Sequence, residues 1–509
     1  MATVLPAGVS EGDVEKAIEA FVDALGADAV MTDTEALREF RDPYAYKQSD
    51  EWDASAAVSP TTTEQVQAIV RIANEHGIPL WTIGQGRNNT YGGAAPRVRG
   101  SVIVNMREMN GVLEVNEDLC YAVVQPGVRW FDLHDALEAA GGRCWPSIPD
   151  LGWGSVVGNT LEYGRGYTPY GDHATNVCGM EVVLPDGEVL RTGMGGQTGN
   201  EAWHVYQHSY GPSLDRLFMQ SNYGIVTQMG VWIMPRPDVY AACGATWQGE
   251  EALEAMVDAL RTLMLEGIIR NYPIMGRGIG VGMDAKPHID PTDPTWRLRF
   301  ALYGRQSIVD AHWDIAREAL EAIPGVEATC HQMPGTERHA QARGHDEQVQ
   351  CGIPEMDLMD LFKTPYGEET GHLDFSPVGP LTGKDVVETF RLVRELYDRH
   401  GWSYLGGLLM SPRNVIHVTT TFFDPNDEEQ TREVYAAYDE MVLELAKVKK
   451  VPYRTNIHHM DLVAEQLDFN DHIQMRTNER IKDALDPNGI LSPGKQGIWP
   501  ARTRAGAGG

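Results

Sequence analysis

Two stretches of this chain carry enough glycine and asparagine to hold an anion against bare backbone. The first is Ile83-Gly84-Gln85-Gly86-Arg87-Asn88-Asn89-Thr90-Tyr91-Gly92-Gly93, directly after an apolar run. Glycines at this density let successive backbone N–H groups converge on a pyrophosphate. The spacing is neither that of a G-x-G-x-x-G fingerprint nor that of a P-loop. The second stretch is Asp150-Leu151-Gly152-Trp153-Gly154-Ser155-Val156-Val157-Gly158-Asn159-Thr160, running on through Arg165 and Tyr167 to Tyr170-Gly171-Asp172-His173. A third piece is Ser221-Asn222-Tyr223-Gly224-Ile225-Val226. Three such loops are expected to wrap one extended dinucleotide. A different chemistry is open to Gly371-His372-Leu373-Asp374-Phe375-Ser376, where strand alternation puts His372, Asp374 and Ser376 on one face. A lone histidine is by itself most often structural.

The elements that must position these loops follow from periodicity and capping. Ser10 is predicted to cap a helix whose Val14, Ala17, Ile18, Phe21, Val22 and Leu25 recur at helical spacing. Ala56 to Val58 reads as a strand, Thr61 to Thr63 as caps for a helix, and Ile78 to Ile83 as a second strand, a unit that suggests a parallel pair. Further strands are expected over 101–105, 121–125 and 180–184, the last turning at Pro185-Asp186-Gly187 into 188–191. From about Pro237 helical segments (250–265, 308–322) alternate with strands (296–303, 415–422), which predicts a second α+β lobe. The glycine- and asparagine-bearing style returns near Tyr453, and a tail helix ends at Asp486-Pro487-Asn488-Gly489.

At 509 residues the chain is too long for one hydrophobic core, so two or more lobes are expected. The net charge of −30 repels phosphate backbones and anionic lipid, which argues against nucleic acid and membrane partners. Cys120, Cys144, Cys178, Cys243, Cys330 and Cys351 form no C-x-x-C pair, and no positive leader or long apolar run is visible, so a cytoplasmic protein with free thiols is expected. His458-His459 lacks an accompanying carboxylate cluster. Adjacent residues on a strand would point apart, so no metal is expected there. Ser155 is not in a nucleophile elbow, and Lys447, Lys449 and Lys450 read as a solvated helix end.

Taken in order, Asn88 to Pro96 (NNTYGGAAP), Gly152 to Asp172 (GWGSVVGNTLEYGRGYTPYGD), Glu181 to Gly195 (EVVLPDGEVLRTGMG) and Asp486 to Trp499 (DPNGILSPGKQGIW) resemble the vanillyl-alcohol oxidase and p-cresol methylhydroxylase family of flavoproteins, nearest to its bacterial eugenol-oxidase-like members. The resemblance covers nearly the whole chain, with a shorter middle at about 265–295. It implies an α+β, two-lobe fold: an FAD-binding lobe from residues 1–237 and 453–509, and a cap lobe from 238–452 over the flavin. FAD would be held by Gly84, Gly86, Arg87, Asn88, Asn89, Gly154, Ser155, Gly158, Asn159, Tyr170, Gly171, Gly224, Ile225 and Val226. His372 matches the histidine that bonds the flavin covalently in the oxidase members; the methylhydroxylase branch uses tyrosine. Tyr91, Tyr453 and Arg454 match a phenolate-binding trio. Their chemistry is sound unaided, because a fixed guanidinium and two hydroxyl donors lower a phenol's pKa from near 10 and hold the anion, the better hydride donor. Asp150 matches a carboxylate beside flavin N5 that can take a proton from water as it adds to the substrate. Tyr167 matches a pocket aromatic.

The implied activity is oxidation of 4-alkyl or 4-hydroxyalkyl phenols through a quinone methide, with oxygen reduced to hydrogen peroxide, in a homodimer or larger homo-oligomer. A dehydrogenase of the same substrates coupled to a cytochrome is the first rival, and a non-catalytic flavin-binding paralogue the second. Intact Tyr91, Asp150, Tyr453 and Arg454 argue against the paralogue. Two charges depart from the pattern: Arg165 stands where a small apolar residue is expected, and Asp374 where glycine is familiar. The preferred expectation is that they pair across the pocket and narrow it. The alternative is that Arg165 receives a polar or anionic substrate group, with Gly406-Gly407 leaving room for it.

Overall fold

The computed structural model describes residues 4–280 and 288–504. Helix α1 (Glu11–Leu25) starts where Ser10 accepts the Asp13 N–H and buries Val14, Ala17 and Phe21. Strand β1 (Ala56–Val58) leads to α2 (Thr63–His76), capped by Thr62, and then to β2 (Leu80–Ile83). The two strands run parallel, as expected, but they are not neighbours. Strand β3 (Val102–Asn105) inserts between them and pairs with both, because its Val102 and Val104 join the core that β1 and β2 face. A second, antiparallel sheet contains β4 (Tyr121–Val124), β5 (Val177–Val183), β6 (Val189–Arg191) and β7 (Ile225–Trp232), with α3 (Trp130–Ala140) packed beside β4. The β5–β6 hairpin turns at Pro185-Asp186-Gly187.

The middle of the chain forms one large antiparallel sheet. Seven of its eight strands are β8 (Val239–Gln248), β9 (Ile274–Arg277), β10 (Thr295–Gly304), β11 (Glu327–Pro334), β12 (Gly371–Phe375), β13 (Gly406–Met410) and β14 (Asn414–Phe423), in spatial order β11-β8-β10-β9-β13-β14-β12, and the short Val378–Pro380 strand also pairs with β14. Alternation decides its two faces. Leu298, Phe300, Leu302, Leu373, Phe375, Leu408 and Met410 pack on α4 (Leu253–Leu265), α5 (Gln306–Glu321), α6 (Gly383–Arg399) and α7 (Glu428–Lys447). The alternate residues face the glycine-rich loops, among them Leu409, Ile416 and Tyr303. His372 and Asp374 belong to that second set. Part of the shorter stretch at 265–295, residues 281–287, lies outside the described residues.

The tail returns to the first lobe through α8 (Phe469–Leu485). Lys482 and Asp486 form a fully buried ion pair at 2.7 Å. The ammonium also donates to the carbonyls of Asn222 and Leu491, and Asp486 accepts the N–H groups of Ile490 and Leu491. With each charge surrounded by partners, the pair fixes the Asp486–Leu491 turn beneath the third glycine-bearing loop. All six cysteines are free. No described helix is long and apolar enough to cross a membrane.

Candidate active site

The first two loops are pressed together. A Cβ on Gly84 would lie 2.6 Å from Ser155 Oγ, so only glycine permits this approach. The Ser155 hydroxyl donates to Pro126 O at 2.6 Å and accepts the Gly158 N–H at 2.8 Å, capping the short helix Val156–Leu161. Arg87 lies over the Trp153 ring at 5.5 Å, a second tie between the loops. Asn159 faces His173, with Oδ1 and Nδ1 2.7 Å apart. In the third loop Asn222 donates to the carbonyls of Ser492 and Ile498, which anchors Gly224 against Val182 and Phe218. Ile225 and Val226 point into the cores, so only their backbone is available to a ligand. Tyr170 packs against the cluster of Trp145, Met234 and Tyr240.

His372 stands on β12 among aromatic rings. Tyr44 lies 4.6 Å away between ring centroids and Phe362 4.8 Å. Burial lowers its pKa against the pull of Asp374, so the ring is neutral, and its Nδ1 is buried with no hydrogen-bond partner. An orphaned ring nitrogen in an apolar cage is unusual, since buried polar groups are nearly always satisfied. Asp374, on the same face, accepts from Thr420 Oγ1 at 2.7 Å, while its N–H donates to Thr90 Oγ1 at 2.7 Å.

Tyr91, Tyr453 and Arg454 converge as expected. The Arg454 guanidinium donates to the Tyr453 hydroxyl at 2.7 Å and stacks over the Tyr91 ring at 4.7 Å and the Tyr453 ring at 4.9 Å. Burial would lower its pKa, but Tyr453 and Tyr91 hold it up, so the cation persists. Burial likewise raises Tyr91 well above its ordinary value, only partly opposed by Arg454, and keeps its hydroxyl a donor. Among the described residues Arg454 has no carboxylate at ion-pair distance. A cation with two neighbouring phenolic hydroxyls is a receptor for a small anionic oxygen.

Asp150 is the opposite case. Arg299 from β10 meets it at 2.8 Å, His345 Nε2 at 2.9 Å, and the Tyr167 hydroxyl donates to it. Burial favours the neutral acid, yet Arg299, His345 and Tyr167 together push its pKa far below the carboxylate range. Behind it Arg299 pairs with Asp346 and lies 4.1 Å from the Tyr167 ring, and His345 Nδ1 meets Glu355. Arg299, His345, Asp346 and Glu355 were not among the residues singled out from sequence. The signal for Arg299 is present in Trp296-Arg297-Leu298-Arg299-Phe300-Ala301, a cation inside an apolar strand. His345 and Glu355 lie in a segment with no motif.

Several expectations are corrected. Arg165 does not pair with Asp374. It pairs with Asp172 at 2.6 Å and lies 5.6 Å over the Tyr272 ring, because an isolated bridge brings Asp172 beside it in the loop. Gly406 and Gly407 do not open space. A Cβ on Gly406 would meet Val418 O at 2.5 Å, and one on Gly407 would meet Ile274 Cδ1 at 3.3 Å. His458 and His459 lie in a tight turn, not a strand, facing Trp52 and Asp439. Lys450 is buried against Asp385 at 3.0 Å. His134, Glu138 and His339 lie close enough to hold a cation, but Glu138 is already paired with Arg338, whose charge opposes one.

With this geometry in view, the likeness to known proteins is specific. Residues 54–193 match the FAD binding domain family, and residues 369–496 match the C-terminal domain of FAD linked oxidases. The 4-cresol dehydrogenase [hydroxylating] flavoprotein subunit of Pseudomonas putida is 34% identical, the alignment covering 97% of this chain and 98% of that protein. The structure of 4-ethylphenol oxidase from Gulosibacter chungangensis, in an isoeugenol complex, superposes with a TM-score of 0.90 at 36% identity, over 98% of this chain and 100% of that one. Substrate-bound p-cresol methylhydroxylase superposes with a TM-score of 0.90 at 33% identity, over 97% and 99%. The chain therefore belongs to the vanillyl-alcohol oxidase and p-cresol methylhydroxylase family. It has that family's two-lobe α+β FAD-binding fold and is a flavin-dependent oxidoreductase.

Proposed function

We propose that this enzyme uses FAD, bonded covalently to His372, to oxidise para-substituted phenols. The observation that carries the reading is the pairing of a fixed cation, Arg454, with Tyr91 and Tyr453 at one end and an ionised carboxylate, Asp150, at the other. The residues fit the cofactor: Gly84, Gly86 and Gly158 pack closely around Ser155 and Ala94 and leave backbone bare beside Gly154, and His372 offers a neutral nitrogen with no hydrogen-bond partner. FAD supplies the hydride acceptor there. Arg454, Tyr91 and Tyr453 bind the phenol as its anion, which weakens the benzylic C–H bond. Asp150 takes a proton from the water that adds to the resulting quinone methide, and Tyr167 bounds the slot beside it. The lobes divide at 237/238 and 452/453, consistent with the change from the first two sheets to the large antiparallel sheet.

Oxygen is the terminal acceptor in this reading, and hydrogen peroxide a product, supported by histidine rather than tyrosine at the anchor position. The six free thiols support a cytoplasmic location, and we assign a homo-oligomer. The test is oxygen uptake and peroxide release with a panel of 4-alkylphenols and 4-hydroxybenzyl alcohols. Turnover that requires an added cytochrome or dye, with no oxygen consumed, overturns the choice of acceptor. No turnover with either overturns the substrate class.

A further inference from the structure

We propose that His345 is a positioning residue for Asp150: a buried imidazolium, kept charged by Glu355, that holds the Asp150 carboxylate ionised and aimed at the substrate slot. With both of its carboxylate partners ionised, the geometry calls for a doubly protonated ring. His345 is 2% exposed, its Nε2 lies 2.9 Å from Asp150 Oδ1, and its Nδ1 meets Glu355 Oε1. Ionised carboxylates only accept hydrogen bonds, and a neutral imidazole has one N–H to give. A neutral ring would therefore set a lone pair against a carboxylate in a closed interior. The charged groups around the ring are Asp150 from the second loop, Arg299 from β10, neighbouring Asp346, and Glu355 and Asp357 from the segment that follows. Among these groups carboxylates outnumber cations, which favours the imidazolium.

The titration agrees with the geometry. Burial would lower the His345 pKa, but its bonds to Asp150 and Glu355 raise it to about 9. A histidine raised in the folded state stabilises the fold fully below its unfolded pKa of about 6.5 and loses that contribution as pH rises. Here the loss runs from about 6.5 through about 9. Arg299 is shared with Asp346 and His345 with Glu355, so Asp150 is held by two cations that are each fixed from behind by a second carboxylate.

This role rests on the phenol-oxidising reading for its activity readout but not for its stability readout. The experiment compares holoenzyme with His345→Gln, His345→Lys and Glu355→Gln. Two quantities are followed across pH: the thermal unfolding midpoint, and the rate at which the hydrated product forms from a 4-alkylphenol in a single anaerobic turnover. Wild type is expected to lose stability relative to His345→Gln between neutral pH and about pH 9. In His345→Gln an acid limb in that rate should appear, or move up by about one pH unit or more, as Asp150 becomes easier to protonate. His345→Lys, which restores a cation, should move it back. Glu355→Gln leaves the ring in place and should flatten the stability difference, which keeps the test open if His345→Gln fails to fold. Unchanged acid limbs and parallel stability profiles in the variants overturn the proposal. A wild type that no phenol reduces overturns the functional reading instead, and the stability comparison still decides the charge of His345.

Discussion

The two ends of the site handle charge in opposite ways. At one end Arg454 is a buried cation beside two phenolic hydroxyls, with no carboxylate at ion-pair distance among the described residues. At the other, Asp150 is an anion already held by Arg299, His345 and Tyr167. The first end pays its desolvation cost until an anion arrives, so its binding energy is available to a phenolate. The second is satisfied before any ligand is present, so its energy goes into holding one carboxylate ionised and still. Under the proposed function these are receptor and base, and their partners alone tell the two ends apart.

Variants sharpen this contrast. The largest effect is expected for Asp150→Ala: flavin reduction or product formation should fall by about a hundredfold or more, the scale of a lost proton acceptor. It should also lower thermal stability, because Arg299 and His345 lose their shared anion. Single-turnover kinetics and a melting curve on one preparation check both halves. Arg454→Leu is expected to reduce kcat/KM with phenols by about tenfold to a hundredfold, the worth of one or two charge-assisted bonds at about 1.5–3 kcal/mol each. Unlike Asp150→Ala it should leave the melting temperature unchanged or raised. Equal stability losses in both variants would erase the distinction between the two ends.

Smaller effects test the surrounding assignments. His372→Ala should release flavin into the supernatant after acid precipitation, whereas the wild-type precipitate stays yellow. Yellow supernatant from wild type would remove the covalent link. Arg165→Val should change kcat/KM by less than about threefold and leave the order of substrates unchanged, since Asp172 and Tyr272 already engage the guanidinium. A reversed order between carboxylated and simple alkylphenols would restore Arg165 to the substrate.

Much of the receptor end was legible in the sequence, and much of the opposite end was not. Tyr91, Tyr453 and Arg454 lie in stretches whose glycines, prolines and asparagines mark loops, and the family resemblance implies the roles proposed for them. The strand face carrying His372 and Asp374 followed from alternation. Asp150 was visible, but its setting was not. Arg299 lies 149 residues away and His345 195 residues away, and nothing local couples a cation on a cap strand to a loop of the other lobe. The mistaken Arg165–Asp374 pair has the same cause from the other side. Complementary charges on two pocket-bordering segments suggested each other, while Asp172, seven residues along in the same loop, offered a shorter closure. The space assigned to Gly406 and Gly407 failed because missing side chains were read as room, where neighbouring strands had already filled it.

The most direct test of the central claim is an anaerobic titration of the flavin with 4-ethylphenol and, separately, with its methyl ether. The two share the benzylic carbon and differ only in whether an anion can form at Arg454. The account predicts that the phenol bleaches the flavin while the ether does not. Bleaching by both at similar rates, or by neither, would contradict it.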